Sequence, residues 1–199
     1  MGRSLWRVAA SSIVVAGFAC LCAQPAWAKT VTATVKGQTT CTVGSFGTFA
    51  CPLTFAVSYP SSVAAGSSVS VTANETLTLP TSVTNALFKA CCRSIDGTAT
   101  TDNVYSSDAT PSPFNMAAPS GIPIPLANIR DGHPVHLRFP ISATVTAGAA
   151  GTETLTAGEL DGTLDLYALA NGGDGPPYTI TLTCSVPSPP VVLATVKVK

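Results

Sequence analysis

Regular alternation of apolar and polar residues is the feature that most limits how this chain can fold. In residues 49–59, every second residue is apolar or a cysteine, as in Phe49, Cys51, Leu53 and Phe55. Because successive side chains of a strand point to opposite faces, this pattern predicts a β-strand with one face on a core. Residues 69–79, interrupted only by Glu75, and residues 178–186 show the same pattern. The chain is therefore predicted to consist mainly of strands.

Shorter alternating segments, separated by clusters of Gly, Pro and Ser, predict further strands. They are residues 31–40, 95–105, 135–145, 152–156, 162–168 and 191–198. One segment differs, because Val83, Leu87 and Ala90 recur at helical spacing and predict a short helix over residues 81–90. About nine short strands and one connecting helix predict an all-β fold, an antiparallel Greek-key β-sandwich of the immunoglobulin-like type.

The N-terminus has the features of a secretory signal peptide. Two arginines precede an apolar run over residues 8–22, and Ala26-Trp27-Ala28 has the small residues that a signal peptidase requires. This apolar run is too short to span a membrane. No later apolar segment in the sequence is long enough to span one either. The sequence thus predicts a signal peptide over residues 1–28 and a single domain over residues 29–199, with lipid anchoring at Cys20 as an alternative.

Charge is sparse in the predicted mature chain. After removal of residues 1–28, eight basic and ten acidic residues remain, for a net charge of −2. Since nucleic-acid binding depends on basic clusters that release counterions from phosphates, we expect no nucleic-acid partner. The expected location is extracellular or at the cell envelope.

Five cysteines remain in the predicted mature chain: Cys41, Cys51, Cys91, Cys92 and Cys184. In an exported protein, disulfides are the default expectation, and five cysteines form at most two bridges. Neither a Cys-x-x-Cys redox motif nor the usual spacing of zinc ligands occurs. Structural bridging is therefore favoured, with redox switching by the adjacent pair as an alternative.

Polar clusters offer weaker candidates for chemistry. Asp131, His133 and His136 are interpreted as a solvated turn, and a metal site or a hydrolase centre at the histidines is the alternative. On a continuous strand the two histidines would lie on opposite faces. Asp161 and Asp165, with Glu159, fall on the polar face of a predicted strand, where calcium is the alternative to plain solvation. Serine-nucleophile motifs and phosphate loops are absent, so we predict no enzyme activity, cofactor or metal.

Several segments together resemble a known family. They are Cys41, residues 60–66, the Leu79-Pro80 strand end before the helix, Leu182-Thr183-Cys184, and the final strand over residues 193–198. The pattern is similar to that of a family of secreted actinobacterial proteins of unknown function with an immunoglobulin-like β-sandwich. The resemblance implies this fold, export and a disulfide between Cys41 and Cys184, and it implies no catalytic residue.

The remaining cysteines follow from that pairing. Cys51 lies on the inward face of its strand, and Cys91 follows Val83 at a spacing that points it inward from the helix. We therefore predict a Cys51–Cys91 bridge and a free thiol at Cys92, which could link the protein to another chain.

The sequence as a whole predicts an exported, non-catalytic binding or structural module. The segment of residues 108–130 is the candidate interaction loop, through the apolar residues Phe114, Met116, Ile122, Ile124 and Leu126. The alternative is that these side chains pack on the protein's own core. Expected partners are a cell-surface protein, a glycan or a lipid. A carrier of a lipid or other small apolar ligand is the second hypothesis, and it requires an internal cavity of several hundred Å³.

Overall fold

A computed structural model of the chain describes residues 29–102, 105–106, 121–173 and 177–199. The predicted signal peptide lies outside the described residues, and so do Phe114 and Met116 of the predicted interaction loop.

The described residues form twelve strands, one α-helix and one 3₁₀ turn. The strands are β1 (Thr30–Val43), β2 (Thr48–Pro60), β3 (Ser62–Val63), β4 (Ser68–Leu79), β5 (Ser94–Asp102), β6 (Tyr105–Ser106), β7 (Ile122–Asn128), β8 (Val135–Thr146), β9 (Gly151–Thr156), β10 (Leu160–Tyr167), β11 (Tyr178–Cys184) and β12 (Val192–Val198). Helix α1 spans Thr81–Ala90, and the 3₁₀ turn spans Gly44–Phe46. The prediction of an all-β fold with one short connecting helix is confirmed.

The strands are arranged in two sheets. The large sheet has the order β7-β5-β10-β11-β1-β2-β4-β8, and its described neighbours all pair in antiparallel fashion. The small sheet has the order β3-β12-β9-β6, and β3 pairs with β12 in parallel. Buried side chains of both sheets form one hydrophobic core, so the fold is a β-sandwich.

The alternation in the sequence determines which face of each strand is buried. Leu53, Phe55 and Val57 of β2 lie in the core, and Leu193 and Val196 of the small sheet pack from the other side. Glu75 keeps the inward position that its place in the alternation assigns, and it is buried on β4. Close contact between the layers is allowed at Gly37, where a Cβ atom would collide with the Val191 side chain.

The two edge strands of the large sheet, β7 and β8, lie beside each other and bring the sheet close to a barrel. Among the described residues, however, β7 pairs only with β5 and β8 only with β4. Pro123 and Pro125 of β7 and Pro140 of β8 have no N–H, so none of them can donate a backbone hydrogen bond across this seam. The prolines therefore favour an open seam over a closed barrel.

The cysteines agree with the predictions in part. Cys41 and Cys184 face each other in the register of β1 and β11 and are joined by a disulfide, as the family resemblance implies. The predicted Cys51–Cys91 bridge is wrong: Cys91 is joined to Cys92, and Cys51 is a buried free cysteine. The predicted free thiol at Cys92, and a link through it to another chain, are wrong for the same reason.

The error has a clear physical cause at the end of α1. The helix ends at Ala90, and Cys91 already has a φ of −168°, so the angular spacing of a helix no longer applies there. Cys91, predicted to point inward, is exposed, and Cys92 is fully buried. The guanidinium of Arg93 stacks 3.6 Å from the centre of the Phe88 ring, and its Nη1 donates to the Phe88 and Cys92 carbonyls. These contacts fix the chain as it leaves the helix.

Candidate functional site

The seam between β7 and β8 forms a cleft of about 510 Å³. One wall is the end of β7, from Pro125 to Asn128, and the other is the start of β8, from Val135 to Arg138. The turn that connects these strands contributes Arg130, His133 and Pro134. The cleft therefore exists because the edges of the large sheet approach each other without pairing.

Basic side chains dominate the polar lining of this cleft. Arg130, His133, His136 and Arg138 all line it, and all four residues are exposed. They include both histidines of the chain, and no described residue that lines the cleft is acidic. We refer to the cleft and these four residues as the cationic cleft. The positive charges of Arg130 and Arg138 favour a negatively charged ligand.

Helix α1 holds the turn of the cationic cleft in place. Thr84 is fully buried, and its hydroxyl donates to the His133 carbonyl oxygen over 2.6 Å. The next residue, Asn85, accepts a hydrogen bond of 2.7 Å from the backbone N–H of Gly132 through its side-chain oxygen. Gly132 has a φ of +73°, a conformation that suits glycine in a tight turn. Two polar residues on one helix thus position the turn that carries His133.

The other histidine is positioned by its strand. His136 of β8 lies directly opposite Thr78 of β4, and its Nδ1 is 3.0 Å from the Thr78 hydroxyl oxygen. His133 lies before the start of β8, next to the turn at Gly132, so the rule that would place the two histidines on opposite faces of a continuous strand does not apply to it. Both imidazoles consequently line one cleft.

A shallow depression adjoins the cationic cleft on the outer face of the large sheet. It has a volume of about 460 Å³ and shares Pro125 and Arg138 with the cleft. A second depression, of about 360 Å³, continues it and shares Ala56 and Asn74 with it. We call these two depressions the threonine trough, after its hydroxyl-bearing residues, which are Thr32, Thr34, Thr54, Ser58, Thr72 and Thr76.

Strand register places a second basic residue beside the trough. Lys36, Thr54, Thr76 and Arg138 lie directly opposite one another in four neighbouring strands, β1, β2, β4 and β8. Directly opposed residues share a face of the sheet, so the lysine and the arginine flank the two threonines. Three strand spacings separate them, about 14 Å at the backbone.

The predicted interaction loop is only partly present at this site. Leu126 is 44% exposed and lines the cationic cleft. Ile122 and Ile124 do not belong to an exposed interaction surface: they are buried in the core, because β7 continues the alternation of the sheet. The structure thus agrees with the alternative of core packing for these two residues.

The other predicted polar sites are not brought to the cleft. Asp131 is exposed in the turn but does not line the cleft, and Asp161 and Asp165 lie on β10. Asp165 accepts a hydrogen bond from the Thr179 hydroxyl, and its partner across the sheet is Asp96, which accepts one from the Tyr167 hydroxyl over 3.2 Å. Within the part of the chain that the structure describes, no group of three or more His, Cys, Asp or Glu side chains could hold a metal ion.

The model of a family of unknown function, DUF6801, matches residues 38–194. The chain belongs to this family. The matched segment of this DUF6801 member includes the whole cationic cleft. No curated protein and no solved structure matches the chain. In the described residues, none of the helices combines the length and the apolar character needed to cross a membrane.

Proposed function

We propose that this DUF6801 member is an exported, non-catalytic binding module, and that its ligand site is the cationic cleft. The proposal includes a secretory signal peptide over residues 1–28, an extracellular or envelope location and an actinobacterial source, as the sequence and the family resemblance imply. The single observation that carries the binding role is the open seam between β7 and β8, lined by four basic side chains.

The composition of the cleft favours binding over catalysis. In the hydrolases that use a Ser-His-Asp triad, a carboxylate orients the histidine that takes the proton. The side chain next to His136 is the Thr78 hydroxyl, and Asp131 does not line the cleft. Neighbouring cations instead provide a surface that attracts and orients an anion.

The geometry gives less support to the carrier hypothesis. A carrier of apolar molecules encloses its ligand within mostly apolar walls. The cationic cleft and the threonine trough are lined mainly by exposed residues, many of them charged or hydroxyl-bearing. A polar ligand held on the outside of the sandwich fits these surfaces better than a buried lipid.

Blocking the cleft tests the proposal. Asn128 is exposed and lines the cleft, so Asn128→Trp should fill the site without disturbing the core. Gln38→Trp is the matched control, because Gln38 is exposed on β1 and lies outside the cleft. Protein purified after expression of the full chain is applied to arrays of neutral and acidic oligosaccharides, phospholipid vesicles and envelope fragments.

We expect the natural protein and Gln38→Trp to retain the same array members, and Asn128→Trp to lose them. Binding that survives in Asn128→Trp would show that the cleft is not the site. Failure of the natural protein to bind any member of the array would overturn the binding role itself.

A further inference from the structure

We infer that the ligand of the cationic cleft is an anionic glycan, which places an acidic group between Arg130 and Arg138 and extends its hydroxyl-rich chain along the threonine trough. This inference rests on the proposed function, since it names the chemical class that the same site would bind. Three observations carry it: the two arginines of the cleft, the hydroxyl and amide side chains that line the trough, and the continuity between the two.

The charge of the cleft selects an oxyanion. Arginine presents several N–H donors in a planar fork that matches a carboxylate or a phosphate, and it keeps its charge at any physiological pH. Arg130 and Arg138 line the same cleft, with His133 and His136 between them in the chain. Exposed single ion pairs contribute little binding energy, so an arrangement of several donors is what makes such a site effective.

The trough selects a ligand rich in hydroxyl groups. Its lining exposes the side chains of threonines, of Ser58 and of Asn74, each of which donates or accepts hydrogen bonds without carrying charge. One acidic residue, Glu75, also lines the trough. Its side chain lies on the buried face of β4. The trough therefore offers neutral hydrogen-bonding groups to a ligand whose charge is held elsewhere.

Continuity joins the two surfaces into one extended site. Pro125 and Arg138 belong both to the cleft and to the adjoining depression, so a ligand can pass from one to the other without leaving the protein surface. Lys36 stands at the far side of the row that contains Thr54, Thr76 and Arg138. A second acidic group along the same chain can therefore meet a second cation.

Other anionic partners fit the same surfaces less well. Single-stranded nucleic acids are held mainly by stacking of their bases on large aromatic rings, and no described residue that lines the cleft or the trough is Phe, Tyr or Trp. A face that enters a membrane carries large apolar side chains, whereas the exposed apolar residues that line the trough are Ala56, Pro125 and Pro140. A glycan needs neither stacking bases nor membrane insertion.

Binding by isothermal titration calorimetry tests the inference with four probes. The first two probes are acidic glycans: a homogalacturonate oligomer, whose sugars carry carboxylates, and a phosphomannan oligomer, whose sugars carry phosphates. The other two probes are a neutral maltodextrin and single-stranded DNA. We expect at least one acidic glycan to bind about ten-fold more tightly than the maltodextrin and the DNA, and its binding to weaken as salt rises. The carboxylate and phosphate probes then identify the acidic group.

Charge-removing variants assign the binding to named residues. Arg130→Gln and Arg138→Gln should each weaken binding of the acidic glycan about ten-fold, and Lys36→Gln should weaken it by a smaller factor. Lys197→Gln is the matched control, because it removes the same charge from an exposed position on β12, in the other sheet. We expect this control to bind as the natural protein does.

The outcomes separate the inference from the proposed function. If maltodextrin or DNA binds as tightly as the acidic glycans while Asn128→Trp abolishes that binding, the cleft is the site but its ligand is not an anionic glycan. If an acidic glycan binds and neither Arg130→Gln nor Arg138→Gln weakens it, the inference is overturned. If Asn128→Trp leaves the binding unchanged, the proposed function fails as well.

Discussion

Cys51 lies one diagonal step from Cys41 on the buried face of β1 and β2, and the backbone N–H of Cys41 donates a hydrogen bond to the Cys51 sulfur. The register shows this relationship, because it pairs Cys41 with Phe49 and Thr39 with Cys51. Burial raises the pKa of the Cys51 thiol to about 11, although the hydrogen bond from Cys41 acts in the opposite direction. Cys51 is therefore a neutral, shielded thiol next to a structural disulfide.

This environment predicts that Cys51 is unreactive until the protein unfolds. The thiolate is the reactive form, and with this pKa only about one thiol in a thousand is ionised near pH 8. We expect iodoacetamide to leave Cys51 unmodified in the folded protein and to modify it in urea without any reductant, as measured by peptide mass spectrometry. Rapid labelling of the folded protein would contradict its burial, and absence of labelling in urea would mean that Cys51 is bridged.

The same pKa shift predicts a loss of stability at alkaline pH. The thiol ionises near its model value of 9.0 in the unfolded chain and near 11 in the folded protein. The unfolded state therefore releases its proton first, so the free energy of unfolding should fall as the pH rises from about 9 to about 11. Urea titrations across this range check the prediction, with Cys51→Ala as the variant in which this contribution to the fall is absent. An equal fall in both proteins would contradict it.

The Cys41–Cys184 bridge should be the stronger covalent contribution to stability. It joins residues 143 apart in sequence, so it restricts a large part of the unfolded chain. We expect Cys41→Ala with Cys184→Ala to lower the free energy of unfolding by about 3–5 kcal/mol. Replacing Cys91 and Cys92 together by Ala is the matched control, since that bridge closes almost no loop, and we expect a loss of about 1 kcal/mol from the buried Cys92 side chain. Similar losses in the two double variants would contradict this account.

The adjacent bridge can be tested without any substitution. Trypsin cleaves after Lys89 and Arg93 and releases residues 90–93 as one peptide that contains both Cys91 and Cys92. Under non-reducing conditions we expect this peptide alone, two hydrogens lighter than its reduced form. If this peptide is instead recovered bonded to the peptide that contains Cys51, the predicted Cys51–Cys91 bridge is correct after all. Intermolecular disulfide dimers on a non-reducing gel would also contradict the bridge.

These cysteines show how much of side-chain burial can be predicted from the local periodicity of the sequence. The strand alternation placed Cys41, Cys51 and Cys184 on buried faces, and all three are buried. Cys91 and Cys92 do not follow the helical spacing, because the helix ends at Ala90. Side-chain direction can be read from spacing only while the backbone keeps one regular conformation.

Strand β7 shows a second limit of the sequence. Ile122 and Ile124 alternate as in any strand, but Pro123 and Pro125 stand between and after them, and a segment with this many prolines predicts a loop. Proline is tolerated on an edge strand, where it needs no partner for its nitrogen, and β7 is such an edge. Whether a strand lies at an edge depends on the order of the whole sheet, which the local pattern does not contain.

The cationic cleft could be predicted even less well. Arg130, His133, His136 and Arg138 lie within nine residues, and this density of basic residues was the available signal in a chain with few charges. The sequence gives no sign of the opposite wall of the cleft. Residues 125–128 face β8 only because the eight-stranded sheet curves and brings its two edges close together. The cleft is a property of the curvature of the whole sheet, which brings β7 and β8 together without pairing them, and not of any one motif.

Helix α1 should be needed for the shape of that cleft. Replacing Thr84 by Val removes the hydroxyl that donates to the His133 carbonyl, with almost no change in side-chain volume, and leaves that carbonyl without this donor. We expect the free energy of unfolding to fall by about 1–3 kcal/mol, and hydrogen exchange at the Gly132 amide to accelerate as the turn loosens. Thr84→Ser keeps the hydroxyl and should retain slow exchange. If Thr84→Val loses stability while exchange at Gly132 matches that of Thr84→Ser, then Thr84 supports the core alone, and the turn of the cleft is held by Asn85.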